Sequence, residues 1–311
     1  MTTGHAGDRL AQKDPTGAVD LENPAAVEAA IGALLAARYG AAWRADVLAA
    51  AVRDIVAAFR GEYPGLLRCD TLYHDLRHSL ETGLTVARLL DGHARSLAPG
   101  SAAAIDADHA LLAVLLAIFH DIGMLRRSGE AHLWGAVLTP VHEERSVEFV
   151  RAWLAQTPLA PFAEKSELIM ATKLVFALPA AWPADDRLLA SLVASADLLS
   201  QIADRCYLEK CRDFLFVEFS AIGLAGAADT PYPDRETLLA KTPDFYSGLV
   251  RQRLDAEFAG VHRLMWKHFS GTNPYETAIQ RNLSYLNGIL AAQDFTRLRR
   301  HPEAFIGEAK G

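Results

Sequence analysis

At 311 residues, with 51% hydrophobic and 22% charged side chains, the chain is long enough for one large globular domain or two small ones. Its formal net charge of −7, from 38 acidic and 31 basic residues, argues against broad electrostatic capture of nucleic acid or of an anionic membrane. Three cysteines, Cys69, Cys206 and Cys211, form neither a disulfide framework nor a Cys-x-x-Cys pair, which fits a reducing, cytoplasmic setting.

The polar opening "MTTGHAGDRLAQKDPTG" lacks the apolar segment of a signal peptide, and residues 1–22 are expected to be a disordered tail. Alanine and leucine then recur at helical spacing almost throughout, while alternating β-branched runs are scarce. Residues 24–38 and 43–60 read as two helices, the first opened by Pro24, with Gly40 between them. A third spans 74–90, and "GHARSLAPGSAA" reads as a loop. A fourth runs over 106–124; its longest apolar stretch, "ALLAVLLAIF", has 10 residues, about half of the roughly 20 that cross a bilayer, so no membrane association is expected. After a Gly-containing connection ending at Pro140, the stripe Val147, Val150, Trp153 and Leu154 marks a fifth helix. Further helical segments are expected near 163–177, 185–209, 210–222, 235–258, 260–269 and 274–293, with a proline-rich loop at 226–235 and a tail over 297–311. The fold class is all-α. Residues 211–296 are read as a helical C-terminal extension that walls a substrate pocket or forms a homodimer contact.

Seven of the 11 histidines lie between residues 74 and 142, which turns attention to metal ligation. "YHDLRH" puts His74 and His78 four residues apart, on one face of a helix. "LLAIFHDIGM" ends a greasy run with His120 and Asp121, and "LLASLVASADLLSQIAD" interrupts another with Asp197. A buried unpaired carboxylate costs several kcal/mol, roughly, whereas one bound to a cation does not.

The ordered elements "YHDLRH", "HD" and "AD" resemble the HD superfamily of metal-dependent phosphohydrolases, with its H…HD…D ligands, over residues 71–205. The first element is similar to the Tyr-His-Asn-x-x-His segment of the cyclic-nucleotide phosphodiesterases, and "SADLLSQIAD" to their Ala-Asp-Leu-Ser-Asn segment. The resemblance implies an HD-domain helical bundle over residues 23–210, with the N-terminal helices packed on it. It further implies His78, His120, Asp121 and Asp197 as ligands of a first metal, Asp121 bridging to a second, and His74 as general acid. His142 in "PVHEERSVEF" is a candidate for a second metal or for substrate, against the plainer reading of a helix-start residue. The cofactor implied is one or two divalent ions per chain, Zn, Mn, Mg or Fe.

Met124 stands where the phosphodiesterases carry a further histidine and where many HD hydrolases carry lysine. The expectation therefore covers the hydrolytic chemistry, not a cyclic-nucleotide substrate. Arg126, Arg127 and Lys173 are the candidates for phosphate-facing charge, against a solvated helix end for the arginines and a snorkelling stem for Lys173. The function expected is hydrolysis of a phosphoester of a nucleotide or related small phosphate, phosphodiesterase-like, by a metal-activated water with His74 as general acid. A nucleotide phosphomonoesterase or alarmone-type hydrolase, and a non-catalytic metal-stabilised helical module, are the alternatives.

Overall fold

Every one of residues 110–119, "ALLAVLLAIF", is fully buried, and their helix is the axis around which the rest is arranged. A helix apolar on all sides has no face to give to water, so neighbours must cover it completely. The computed structural model of the chain describes residues 11–101 and 104–307, and the helices take their places as follows. Helices α1 (Pro24–Tyr39) and α2 (Ala45–Arg60) come first, then α3 (Leu76–Ser96), the axial α4 (Ala107–Phe119), α5 (His142–Leu154) and α6 (Ala184–Ala203). Short α7 (Tyr207–Lys210) continues through a π-helical stretch, Cys211–Leu215, into α8 (Phe216–Ala221). Then follow α9 (Arg235–Phe245), α10 (Leu264–His268) and α11 (Pro274–Ala292). The described residues contain no strand; the fold is all-α.

Local sequence accounts for the ends. Asn23 caps α1 by accepting from the Ala26 N–H, with Pro24 at the first helical position, and Asn273 with Pro274 repeats the arrangement at α11. In α2, Val47, Leu48, Ala51, Val52, Ile55, Ala58 and Phe59 form one buried stripe. Helix α3 lies across α1, α4, α6 and α10. Its Gly92 is required there: a Cβ would lie 2.1 Å from the Leu264 carbonyl oxygen at the start of α10.

Several sequence expectations change. The loop expected from Gly92 onward is shorter, because α3 continues to Ser96. The segment near 163–177 is a 3-10 helix over Ala160–Thr172 rather than an α-helix. The segment Ala107–Met124 has the length and hydropathy to cross a bilayer (mean hydropathy 1.5 over 18 residues), but 83% of it is buried inside the fold.

Both expected tails are packed where they are described; residues 1–10 and 308–311 lie outside the described residues. Asp14 is buried in an ion pair with Arg88, 2.7 Å apart, and Leu21 joins the core. At the other end Phe305 is buried, with its N–H donating to Asp75 Oδ2 (2.9 Å) and its carbonyl accepting from the Leu76 N–H (2.9 Å). Polar composition suggested disorder, but single apolar anchors and one buried carboxylate suffice to fix each end.

Candidate metal centre

Three helix ends and the body of a fourth helix deliver the expected ligands to one point. Asp75 caps α3: its Oδ1 accepts from the His78 N–H (3.0 Å), which fixes the first turn and aims the His78 ring inward. His120 closes α4, and Asp121 opens the following 3-10 turn, Ile122–Met124, so the change of backbone direction lets both adjacent side chains face inward. Asp197 comes from the middle of α6, where Ala194, Ser195 and Ala196 are small and buried and allow α3 to approach. All four are buried.

The separations are those of ligands around one cation. His78 Nε2 lies 3.1 Å from Asp197 Oδ1 and 3.5 Å from Asp121 Oδ2. His120 Nε2 lies 3.2 Å from Asp121 Oδ2 and 3.6 Å from Asp197 Oδ1. Bonds of about 2.0–2.2 Å to one ion put neighbouring ligand atoms roughly 3–3.6 Å apart. His78, His120 and Asp121 can thus hold one metal ion.

Two further observations test the fit. His120 Nε2 and Asp121 Oδ2, although 3.2 Å apart, are buried without a properly aligned hydrogen-bond partner. Such atoms are costly unless a ligand satisfies them. The imidazoles are also oriented from behind. Nδ1 of His120 donates to the Ala117 carbonyl and Nδ1 of His142 to the Thr139 carbonyl, each at 2.7 Å, which leaves both Nε2 lone pairs facing Asp121.

Charge follows the same logic. Burial opposes ionisation throughout, yet Asp121 and Asp197 hold His120 well above the usual imidazole range, and the histidines hold both carboxyls below the usual carboxylate range. In the metal-free chain, the carboxylates thus favour a proton on the His120 ring.

His142 enters from the start of α5, with Nε2 3.3 Å from Asp121 Oδ1, the oxygen that turns away from His120. Gly123 makes this approach feasible, because a Cβ there would lie 1.9 Å from the His142 carbonyl oxygen. Asp121 therefore presents one oxygen to His78 and His120 and the other to His142.

His74 stands beside this group, its ring centroid 5.9 Å from that of His142. Its Nδ1 lies 2.6 Å from Glu218 Oε2. Glu218 Oε1 accepts from the Leu72 and Tyr73 N–H groups at 2.8 and 2.7 Å. Burial disfavours a charged ring, but the Glu218 carboxylate outweighs it and raises His74 to about 9. Nδ1 is thus held by Glu218, leaving Nε2 to carry a transferable proton.

The expected phosphate contacts are committed elsewhere. Arg126 pairs with Asp70 (3.0 Å) and donates to the Leu133 carbonyl (3.1 Å). Arg127 pairs with Glu148 at the exposed surface. Lys173 Nζ lies 2.6 Å from Glu144 and 3.1 Å from the Pro140 carbonyl oxygen, at the edge of the site. The reason is local: acidic residues and free carbonyls near each cation satisfy it within the fold.

Two residues of the site were not anticipated. Glu218 is a single carboxylate in the apolar run "FLFVEFSAIG", the pattern that drew attention to Asp197. Gln201 lies four residues after Asp197 on α6, so helical spacing alone places it on the same face; its Nε2 donates to Asp197 Oδ1 at 2.5 Å.

Residues 130–262, under half of the chain, match the model of the Npun_R2479-like family. That span includes His142, Asp197 and Glu218 and stops short of His78, His120 and Asp121. Neither a curated protein nor a solved structure matches the chain.

Proposed function

We propose that this chain is a metal-dependent phosphohydrolase of the HD type that cleaves a small phosphoester, with His74 as the proton donor. The observation that carries the reading is convergence: side chains as far apart as 119 positions, His78 and Asp197, meet in one buried group with His120 and Asp121. A divalent cation held by His78, His120, Asp121 and Asp197 would supply Lewis acidity and a water acidified toward neutral pH.

The chain's own residues supply the rest. Asp121, with its two oxygens facing different imidazoles, can serve ligands on both sides. Gln201 fixes one Asp197 oxygen, so this carboxylate keeps its orientation. His74 holds a proton at neutral pH because Glu218 stabilises the charged ring. That proton sits on the side of the site bounded by His142, suited to an alkoxide leaving group that would otherwise depart poorly.

The test combines metal analysis of the purified chain with turnover of bis(4-nitrophenyl) phosphate and 4-nitrophenyl phosphate. His74→Ala is expected to keep its metal and to lose about 10²–10⁴-fold in rate on an ester with an alkyl leaving group. Unchanged turnover of that alkyl ester in the variant removes His74 as the acid. Wild-type protein that carries metal yet hydrolyses neither ester removes the hydrolase reading.

A further inference from the structure

A cavity of about 340 Å³ opens next to the metal centre, and its walls come mostly from helices outside the HD resemblance. Leu215, Phe219, Tyr232, Leu238 and Phe245 line it, from α8, α9 and the segments beside them. Phe219 and Tyr232 stack, with ring centroids 5.7 Å apart and planes 23° from parallel. At the inner end stand Tyr73 and Gln201.

Those inner residues join the cavity to the chemistry. Gln201 binds Asp197 through Nε2 and accepts from the Tyr73 hydroxyl, 3.3 Å away, through Oε1. The Tyr73 ring stands edge-on to His74, centroids 5.3 Å apart. Helix α8 gives Glu218 to His74 and the next residue, Phe219, to the cavity wall. The cavity therefore lies on the side of His74.

The wall carries one charged group, Lys241, whose Nζ donates to the Pro231 carbonyl (2.9 Å) and lies 5.6 Å from the Tyr232 ring centroid. Gln201 uses both ends of its amide within the protein, and Thr242 Oγ1 donates to the Leu238 carbonyl (3.1 Å). The lining thus offers burial and aromatic faces but few hydrogen bonds, and a ligand rich in polar groups would leave them unpaired. At the mouth, Leu174 lines the cavity and is 43% exposed, and its neighbour Val175 is 87% exposed, so the entrance is apolar apart from the exposed Lys241.

We propose that this cavity receives the alkyl or aryl group of the alcohol released when the phosphoester is cleaved. This assignment rests on the hydrolase reading above. In the step, the water oxygen bonds to phosphorus and the P–O bond to the alcohol breaks. The departing oxygen takes the proton of His74, so the products are the free apolar alcohol and the phosphate. The substrate is then an ester of a hydrophobic alcohol rather than of a nucleoside.

Calorimetric titration of the full chain with Mn²⁺ tests this, using methylphosphonate monoesters of straight-chain alcohols from methyl to octyl, and the free alcohols alongside. Affinity for the monoesters is expected to rise about four-fold per added methylene until the cavity is full. Leu238→Trp, which fills the cavity, should flatten that series and leave Mn²⁺ binding intact; the wild-type series decides the matter if the variant does not fold. A flat wild-type series overturns the assignment, and turnover of methyl 4-nitrophenyl phosphate judges the hydrolase reading separately. Free alcohols that show the chain-length dependence while no phosphonate binds would overturn the phosphoester reading and the leaving-group assignment with it.

Discussion

Arg77 and His78 are adjacent on α3, yet each belongs to a different cluster of buried charge. Arg77 joins Asp204, Lys210 and Glu22, with Lys210 Nζ 2.5 Å from Asp204 Oδ2 and Arg77 3.7 Å from both acids. Glu81 lines the same recess, and burial and Asp204 push its carboxyl well above the usual carboxylate range. Two permanent cations face two carboxylates, so this cluster is closed in charge without a metal, although Arg77 Nε and Nη2 and Glu81 Oε1 are buried without an aligned hydrogen-bond partner. About two helical turns back along α6, Asp197 and Asp121 have imidazoles as their ion-pair partners, beside the neutral Gln201 amide. Histidine holds positive charge only while protonated, so this second cluster accepts a proton or a metal cation in the same place. The difference between fixed and exchangeable cations separates a structural network from a binding site, although both lie largely out of water.

The largest effect expected on this comparison comes from opening the closed cluster. Lys210→Ala leaves Asp204 buried with Arg77 alone, and removing one partner of a buried pair typically costs about 3–5 kcal/mol. Urea denaturation with a chelator present should show this loss, and added metal should not restore it. The pH dependence has a definite sign. Burial opposes ionisation of Asp204, but Lys210 and Arg77 outweigh it and hold the carboxyl at about 2, below its ordinary 3.8. Its contribution is full above about 3.8 and is lost as pH falls through about 2. The acid unfolding limb of Lys210→Ala should therefore move to higher pH. A loss below about 1 kcal/mol, the range of exposed pairs, would mean that Lys210 does not close the cluster.

A smaller effect, dependent on metal, is expected in the open cluster. Asp197→Ala removes a carboxylate that has no fixed cation, so the chelated protein should lose less stability than Lys210→Ala. What disappears is the response to metal. At Mn²⁺ a hundred times its dissociation constant, wild type should gain about 2.7 kcal/mol and the variant none. An equal gain in both would place the cation away from Asp197.

The contrast also explains what could be read in the sequence. His120, Asp121 and Asp197 stood out as ionisable residues in apolar runs and His78 by its spacing from His74, and the four do meet. The all-α class followed from periodicity, and the opening of the first helix at Pro24 from local chemistry. Pairings made by packing between distant segments were not visible. Nothing near Arg126 or Lys173 in sequence shows that Asp70 and Glu144 claim them. Nor does "HPEAFIG" reveal that Phe305 binds the cap of α3. Glu218 was legible in principle, because the criterion that found Asp197 applies to it unchanged.

The finest test concerns the two faces of Asp121, and Gly123 is the handle. Its N–H donates to Ser146 Oγ (2.9 Å) and its carbonyl accepts from Arg145 Nε (2.8 Å), so the turn after Asp121 is fastened to α5. Gly123→Ala puts a methyl into the His142 carbonyl and forces the two apart, at about 1–3 kcal/mol of stability. The movement lengthens the 3.3 Å approach of His142 Nε2 to Asp121 Oδ1. His78, His120 and Asp197 are carried by α3, α4 and α6 and stay where they are. A Mn²⁺ titration of Gly123→Ala should then keep the tighter binding event and weaken or lose a second one that wild type shows. Equal weakening of all binding would mean that His142 and the other three residues serve a single ion, and that Asp121 does not divide its oxygens between two.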